Sequence, residues 1–473
     1  MRHPVISVRK FAPLALAAAV VCVVSPIQAQ QVQQVQRAGE VEFSRGVGFA
    51  QAPGQIPRTM GIGLALVQGD RLTTSEGGSA VIKLEDGTRM TVRPNTEMVL
   101  QTYQYKANAP DNSLVMQLLR GGFRAVTGLI AKSSPNAARI QTNTATIGIR
   151  GTDFDARICA KDCAVESARV VASARPNTVQ ASAKLVGTQG EINALDAGGQ
   201  RRRLVDGGGV FPGDLLETGK DTRTVLVFRD DTKISLGSNT RFRVDNFVYD
   251  DKNAGEGRFL VSLLRGSVRA LTGLIAKSNT RNVGFSTATA TVGIRGTGFD
   301  MSCTGACANE IPTNDEEGLT LFTWLGSIDM TPINQPGTTG QTAFQVLQAG
   351  QGLFISASGF RSLSTPPPEG DLPRPDGVLI PPRLFSTQNV PDSEEGLFVF
   401  VRDGHIEVLT RSDVLQLGRG EAGFAGNDGS TARPDTIPKF LDFDRMPLPT
   451  SLNPKLISIL GELDIRPLDR CDK

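Results

Sequence analysis

The feature that most constrains the fold of this chain is an internal repeat with a period of about 145 residues. Residues 118–132 read LLRGGFRAVTGLIAK, and residues 263–277 read LLRGSVRALTGLIAK. The segment TATIGIRGTDFD at 144–155 likewise returns as TATVGIRGTGFD at 289–300. A repeat of this length is long enough to fold as one unit, so the sequence predicts two domains with the same fold.

Within each repeat the hydrophobic pattern indicates short strands. Apolar and polar residues alternate at 82–84 and again at 90–92, on either side of a tight turn at Asp86 and Gly87. The looser repeat at 213–240 has the same alternation. Gly (51 residues) and Pro (27 residues) are frequent while aromatic residues make up only 5%, which favours many strands and turns over long helices. We therefore predict an all-β fold.

The leucine-rich block at 118–132 also admits a helix, because its leucines fall at mixed spacings. Its glycines, Gly121, Gly122 and Gly128, argue against that alternative, since glycine destabilises helix interiors.

The first 29 residues have the three parts of a secretory signal peptide. Basic residues come first, an apolar core follows from Phe11 to Val24, and we expect cleavage near Ala29. An uncleaved signal anchor is the alternative, because Ile27 is unusual at its position before the cut. We expect no transmembrane segment in the mature chain, because no later stretch is long and apolar enough to span a membrane.

A second, smaller similarity joins residues 186–195, 322–330 and 400–409, each of which has a Gly before an apolar residue flanked by polar ones. We interpret these segments as β-hairpins that extend the sheet of each domain. The sequence thus divides into a signal peptide (1–29), a flexible segment with a first hairpin (30–58), domain 1 (59–165), domain 2 (183–310), a hairpin region (316–362), a Pro-rich linker (363–393), a terminal hairpin (394–430) and a Pro-rich tail (431–473) with an apolar stretch at 456–463 that could form a short helix.

The repeated motifs resemble those of the FecR domain family. The resemblance rests on four motifs in order. They are a Gly-Asp-x-Leu-x-Thr motif that begins at Gly69, an alternating strand that leads into the turn at Asp86, a Leu-x-Arg-Gly motif, and a final IGIRGTDF motif. The resemblance covers about residues 60–156 and 204–301. It implies two tandem compact extracytoplasmic β-domains, solenoid-like or jelly-roll-like, that contact proteins in bacterial envelope signalling.

In well-known members of that family a cytoplasmic anti-sigma segment and a membrane span precede the domain. Here only about ten residues precede the apolar run, so we do not extend anti-sigma activity to this chain. The expected location is the periplasm or the cell exterior.

The cysteines follow the repeat. Cys159 and Cys163 come after the first IRGT motif, and Cys303 and Cys307 come after the second with the same spacing. In an oxidising compartment this pattern predicts one local disulfide per domain, whereas a metal site would need soft ligands from both domains. Cys471 has no counterpart and is left free or intermolecular.

Little in the sequence indicates catalysis. The chain has two histidines, His3 in the leader and His405, which we expect to be an exposed strand residue in a hairpin. No pair of carboxylates is singled out by its spacing, so we predict no catalytic residues, no metal and no cofactor. A net charge of +2 without a long basic run also argues against a nucleic-acid partner.

Two sets of basic residues recur in both copies. The arginine of each RGT motif is expected to pair with a carboxylate such as Asp86 or Asp155, with partner recognition as the alternative. The residues of the two RGT motifs are Arg150, Gly151, Thr152, Arg295, Gly296 and Thr297. The candidate partner-contact residues form a strip in the most similar block, with a solvated strand face as the alternative: Arg120, Arg124, Lys132, Arg265, Arg269 and Lys277.

The sequence therefore predicts a non-enzymatic binding or sensing protein of the envelope whose partner is an unidentified envelope protein. Addition of a partner strand to a sheet edge is the expected mode of binding. The alternatives are a structural or adhesive surface spacer and a glycan-binding module of the cell wall. Only Trp324 and three tyrosines are available to stack on sugars, which disfavours the last.

Overall fold

The computed structural model describes residues 37–133, 137–333, 345–356, 359–366, 372–381 and 383–442. The predicted signal peptide, residues 30–36 of the predicted flexible segment, Cys471 and the apolar stretch at 456–463 lie outside these ranges. In the described residues no helix is both long and apolar enough to cross a membrane.

Within the described ranges the chain forms thirty strands and four short α-helices. The first eleven strands are β1 (Arg37–Arg45), β2 (Gly48–Gln51), β3 (Arg58–Thr59), β4 (Ala65–Val67), β5 (Arg71–Thr74), β6 (Ser79–Leu84), β7 (Arg89–Val92), β8 (Glu97–Gln104), β9 (Ser113–Val126), β10 (Ala138–Gln141) and β11 (Thr146–Cys159). The next fifteen are β12 (Ala183–Gln189), β13 (Ile192–Leu195), β14 (Arg201–Leu204), β15 (Gly209–Val210), β16 (Leu215–Thr218), β17 (Arg223–Phe228), β18 (Lys233–Leu236), β19 (Arg241–Val248), β20 (Arg258–Leu271), β21 (Val283–Ser286), β22 (Ala290–Cys303), β23 (Leu319–Pro332), β24 (Gln345–Gln348), β25 (Gln351–Ser356) and β26 (Gly359–Leu363). The last four are β27 (Gly396–Leu409), β28 (Val414–Gly418), β29 (Ala422–Gly426) and β30 (Thr431–Ala432). The helices are α1 (Leu129–Ser133), α2 (Cys163–Ala168), α3 (Leu274–Ser278) and α4 (Lys439–Asp442).

These strands form two sheets of fifteen strands with the same topology, which confirms the predicted all-β fold. One sheet contains β1–β11 together with β27–β30, and the other contains β12–β26. The path β3-β2-β5-β8-β9-β10-β11-β27-β29-β30 in the first corresponds strand for strand to β14-β13-β16-β19-β20-β21-β22-β23-β25-β26 in the second. We call the two sheets with their cores domain 1 and domain 2.

Domain 2 is inserted into domain 1. The chain leaves domain 1 after β11, builds all of domain 2, and returns at β27, which pairs antiparallel with β11 from Cys159 opposite Gly396 to Thr146 opposite Leu409. In domain 2 the corresponding strands β22 and β23 are connected directly through residues 304–318. The sequence-based boundaries differ here, because residues 394–430 contribute β27–β29 to the first sheet and residues 37–59 contribute β1–β3.

The hairpin segments found in the sequence fall into two classes. Residues 322–330 in β23 and 400–409 in β27 are structural counterparts and extend the sheets of domains 2 and 1. Residues 186–195 are not a counterpart of these, because they span β12 and β13 at the start of domain 2. Grouping all three was wrong, because a Gly between alternating residues marks any strand with a sharp bend.

Each domain has its own hydrophobic core, made by the inward-facing residues of its strands. A third cluster, around the Cys159–Cys163 pair, contains Phe398, Phe424 and Phe440. Part of the segment predicted to be a Pro-rich linker packs on domain 2, where Leu384 is buried against Val186 and Val227.

Most of the leucine-rich block is a strand. Residues 118–126 belong to β9, while the following residues from Leu129 to Ser133 form the short helix α1. The sequence argument against a helix therefore holds only for the first part of the block. Gly128 lies between the two parts, where a side chain would collide with the Asp86 carbonyl oxygen, since a Cβ would lie 2.2 Å from it.

Candidate protein-interaction site

The RGT motif forms a bulge in the long strand of each domain. Gly151 and Gly296 have backbone φ angles of +61° and +62°, which glycine adopts without strain. The following threonine joins three strands: the Thr152 backbone N donates to Thr127 Oγ1 at 2.7 Å, and Thr152 Oγ1 donates to the His405 carbonyl at 2.9 Å. Thr297 makes the corresponding bonds in domain 2. These contacts indicate that Gly and Thr of the motif serve the fold.

The arginines of the motif differ in exposure, since Arg150 is half-buried and Arg295 is exposed. Arg295 pairs with Asp329 at 2.8 Å while its side chain is 60% exposed. The carboxylates expected to serve Arg150 have other roles, because Asp155 pairs with Arg402 at 2.7 Å and Asp86 binds Thr88 and the backbone at the start of α1. Asp230 does the same for α3, and its burial raises its pKa despite the hydrogen bonds it accepts.

Both expected disulfides are present in the structure. Cys159 is bonded to Cys163, and Cys303 is bonded to Cys307. Each bond begins at the last residue of the long strand, at the point where the chain leaves the sheet. Because all four cysteines are buried, the disulfides fix the chain after β11 and after β22 against the apolar clusters.

The candidate contact strip is divided by the structure. Arg124 and Arg269 are mostly buried in bidentate ion pairs with Asp153 and Asp300 across neighbouring strands. Arg120 and Arg265 are exposed, and Arg265 pairs with Glu310 at 2.8 Å. Lys132 and Lys277 are also exposed, on α1 and α3. Only these four residues can reach a partner without breaking a buried ion pair.

The two domains meet through a buried group of three charged residues that the sequence does not reveal. Lys184 of β12 in domain 2 lies 2.9 Å from Glu421 in the β28–β29 turn of domain 1, and Arg433 binds the same carboxylate at 2.9 Å. All three side chains are at most 1% exposed. Arg433 also donates to the Gln416 carbonyl at 2.9 Å, so the charged groups are hydrogen-bonded as well as paired.

The protonation of this group follows from its burial and pairing. Burial lowers the pKa of Lys184 to about 8 although Glu421 favours its charged form. Burial would raise the pKa of Glu421, but Lys184 and Arg433 hold it below its ordinary value. The cluster thus carries one negative charge between two cations. A lysine and a glutamate more than 200 residues apart in sequence give no local signal, which is why this contact could not be predicted.

His405 also belongs to the boundary between the domains. Its Nε2 lies 2.7 Å from Gln416 Oε1, and Gln416 Nε2 donates to Glu407 at 2.6 Å. The sequence-based expectation of an exposed strand residue was wrong: the residue is half-buried with its Nδ1 shielded from solvent, and burial lowers its pKa to about 4. The expectation failed because the strand face of β27 that would meet solvent in an isolated hairpin is covered here.

The outer edges of the two sheets differ. In domain 1 the edge strand β30 continues into residues 433–437, which form bridges with both Gln388 and Pro176. Asn177 strengthens this cover by donating to the carbonyls of Ala422 and Pro434. In domain 2, among the described strands, β26 pairs only with β25. Its residues 360–362 are exposed, so β26 is the candidate interaction site.

A family model matches two segments in the central part of the chain. Residues 70–171 and 214–310 match the family model described as "FecR protein". The search of curated proteins found no match. Two crystal structures, at 1.65 Å and 2.50 Å resolution, of a proposed anti-sigma factor from Parabacteroides distasonis ATCC 8503 are similar at 12% identity and a TM-score of 0.23.

Those alignments cover 32% of this chain and 58% of the other protein, so the chain matches less than two thirds of that relative. The two segments matched by the family model extend over β5–β11 and β16–β22, the strands that contain the repeated motifs. The prediction from those motifs is confirmed: residues 70–171 and 214–310 are two successive segments of the FecR family, one in each domain of the structure.

Proposed function

We propose that this protein is a non-catalytic interaction module outside the cytoplasm that binds an extended segment of a partner protein along β26. A strand added to β26 would continue the sheet of domain 2 by main-chain hydrogen bonds. In this way the interaction role expected of a FecR-domain protein would be located at one strand, β26.

The observation that carries the proposal is the difference between the two outer edges. The chain itself covers the edge of domain 1 with residues 175–177 and 388, whereas β26 presents exposed side chains at the corresponding place. Phe360 is 37% exposed, and Arg361 lies over the Phe354 ring at 5.1 Å from its centroid. An aromatic and a cationic side chain on a free edge would select an extended segment with apolar and acidic residues.

Other features support the location and the kind of function. Two buried disulfides are typical of proteins that fold in an oxidising compartment outside the cytoplasm. The buried charges Lys184, Glu421 and Arg433 are used to hold the domains together, which fits a binding scaffold better than a catalytic site. Trp324 packs on Gly298, with a ring atom 2.3 Å from the position of a Gly298 Cβ, so this face of the ring is not open to a sugar.

The exposed members of the basic strip remain candidates for a further partner contact. Arg120 and Lys132 in domain 1 correspond to Arg265 and Lys277 in domain 2. Charge reversal at Arg265 is expected to weaken binding of an acidic partner less than a change in β26, because Arg265 already pairs with Glu310.

A proline scan of β26 tests the proposed mode of binding. Successive residues in a strand direct their N–H groups to opposite sides, so proline at Phe360, Arg361 and Ser362 removes donors alternately from the β25 side and from the free side. We expect variants that lose an inward donor to unfold at lower urea concentration. Variants that lose an outward donor should keep their stability and lose the partner captured from an envelope extract by the original chain.

The matched control is Arg361→Ala, which keeps the main-chain donor and loses only the contribution of the side chain, so it should weaken capture less than a proline that removes an outward donor. Capture of the same protein by all three proline variants would contradict the proposal. So would a loss of capture that simply follows the loss of stability.

A further inference from the structure

The contact between the two domains joins two different surfaces of the same fold. Domain 2 contributes what we call its leading surface, which contains Lys184 of β12, Gly207 between β14 and β15, and Phe211 after β15. Domain 1 contributes what we call its trailing surface, formed by Gln416 of β28 and the turn at 419–421. Since the domains have the same topology, each also has a counterpart of the surface that the other one uses.

The leading surface of domain 2 and the trailing surface of domain 1 are in close contact. A Cβ on Gly207 would lie 2.3 Å from the Gln416 side chain, and one on Gly420 would lie 3.3 Å from Gln180. Two guanidinium groups contact the Phe211 ring, with Arg202 of its own domain at 5.4 Å and Arg419 of domain 1 at 4.9 Å from the ring centroid. The glycines therefore allow the backbones of the two domains to approach each other.

The leading surface of domain 1 is unoccupied in the described structure. The Asp70 and Asp214 carboxylates, each bound by an arginine, fix the correspondence of this region in the two domains. By that correspondence Gly63 occupies the place of Gly207, also with a positive φ, and Ile62 occupies the place of Asp206. No atom lies within 4 Å of a Cβ built on Gly63, and Ile62 is 59% exposed.

Among the described residues, the trailing surface of domain 2 is open in the same way. Gly350 occupies the place of Gly420, and no described atom lies within 4 Å of its Cβ position. Val346 occupies the place of Gln416, as the pairings of β24 and β28 with β23 and β27 show, and is 43% exposed. Thus both open surfaces have an apolar residue where the joined surfaces have a polar one.

The remaining positions are compatible with a contact between these two surfaces. Lys184 has Glu40 as its counterpart on the leading surface of domain 1, and Glu421 has Gln351 on the trailing surface of domain 2. In the existing contact a lysine cation, Lys184, pairs with the Glu421 carboxylate. In the proposed contact the Gln351 amide would donate a hydrogen bond to the Glu40 carboxylate.

We propose that a second copy of this chain occupies these surfaces, with the trailing surface of domain 2 of one copy on the leading surface of domain 1 of the next. The contact would repeat the internal arrangement of the domains between molecules. Because it joins two different surfaces, it leaves one of each free at the ends and produces linear or ring-shaped assemblies rather than a closed symmetric dimer.

Sedimentation velocity of the purified chain over a range of concentrations tests this inference. We expect a concentration-dependent series of species above the monomer. Ile62→Lys and Val346→Lys should each weaken the association by about tenfold or more, because each places a charge in the apolar centre of the contact. Val248→Lys, at an exposed valine outside both surfaces, is the control and should associate like the original chain.

A mixture of the two variants distinguishes this contact from any symmetric one. The Ile62→Lys chain keeps an intact trailing surface, and the Val346→Lys chain keeps an intact leading surface. Their mixture should therefore form a dimer with one copy of each and nothing larger. A chain that is monomeric at all concentrations, oligomers that neither variant weakens, or a mixture that stays monomeric would overturn the proposal.

Discussion

The two domains share a fold but differ in how the chain completes it. In domain 2 the step from β22 to β23 takes residues 304–318, whereas the same step in domain 1, from β11 to β27, contains the whole of domain 2. Domain 1 therefore depends on strands from both ends of the described chain, and its outer edge is covered by connecting segments. Domain 2 is continuous, and its edge β26 is free on one side among the described strands. Insertion thus closes the outer edge of one domain and leaves that of the other available.

Among substitutions that compare the joined surfaces with the open ones, the largest change in unfolding free energy is expected at Glu421. Glu421→Gln leaves Lys184 and Arg433 close together without a counter-charge, and removing one partner of a buried ion pair costs about 3–5 kcal/mol of unfolding free energy. Urea unfolding at neutral pH measures this loss. Gln351→Glu, the reverse change at the exposed counterpart, should change stability by less than about 0.5 kcal/mol. Equal effects at the two positions would show that the cluster does not hold the domains together.

A second effect depends on pH and comes from His405, whose counterpart in domain 2 is Ser327. The pKa of His405 is about 4 in the folded protein against 6.5 in its ordinary state, because of burial and the nearby charges of Lys184 and Arg150, although Gln416 and Glu421 favour protonation. As the pH falls, the unfolded chain takes up the proton first. The contribution of the neutral His405 side chain to the free energy of unfolding is therefore fully present above about pH 6.5. It decreases toward pH 4, by about 3 kcal/mol in total.

Urea unfolding between pH 7 and pH 4.5 measures this dependence. In His405→Ser the decrease of unfolding free energy over this range should be smaller than in the original chain. Glu421 contributes little there, since its pKa is below 4.5 and its own effect appears at lower pH. An unchanged slope in the variant would contradict the enclosed position of His405.

The smallest effect compares Gly207 with Gly63. Both have positive φ angles, +74° and +82°, so alanine introduces similar backbone strain at each, about 1–2 kcal/mol. Only Gly207→Ala adds a collision with Gln416, which is expected to cost about 1–3 kcal/mol more. The difference between the two unfolding free energies is the quantity to measure. If self-association covers Gly63, the two costs should approach each other at high protein concentration.

The local parts of the fold could be predicted because their causes lie close together in sequence. Alternating residues and turns gave the strands, and the two cysteine pairs gave the disulfides that the structure contains. The repeat gave the two FecR domains that the family match confirms. The similarity of residues 400–409 to 322–330 was also visible in the sequence. The pairing of β27 with β11, which are separated by the whole of domain 2, could not be predicted.

The candidate sites show the same division. Arg124 and Arg269 looked like members of an exposed strip, because a strand pattern does not reveal which outward residue meets an aspartate on the neighbouring strand. His405 looked exposed because its cover comes from distant parts of the chain. The free edge β26 could not be recognised from residues 359–363, since an edge is defined by which strands are beside it.

By itself the sequence determined the strand-rich repeat, its turns, its local disulfides and the family of its two domains, because these depend on neighbouring residues and on motifs that occur twice. Only the tertiary structure decided that domain 1 is split around domain 2, that Lys184, Glu421 and Arg433 join the two domains, and which edges and end surfaces remain open. The physical reason is that strand pairing and burial of charge are satisfied by partners far away in the chain, whose identity no local pattern specifies.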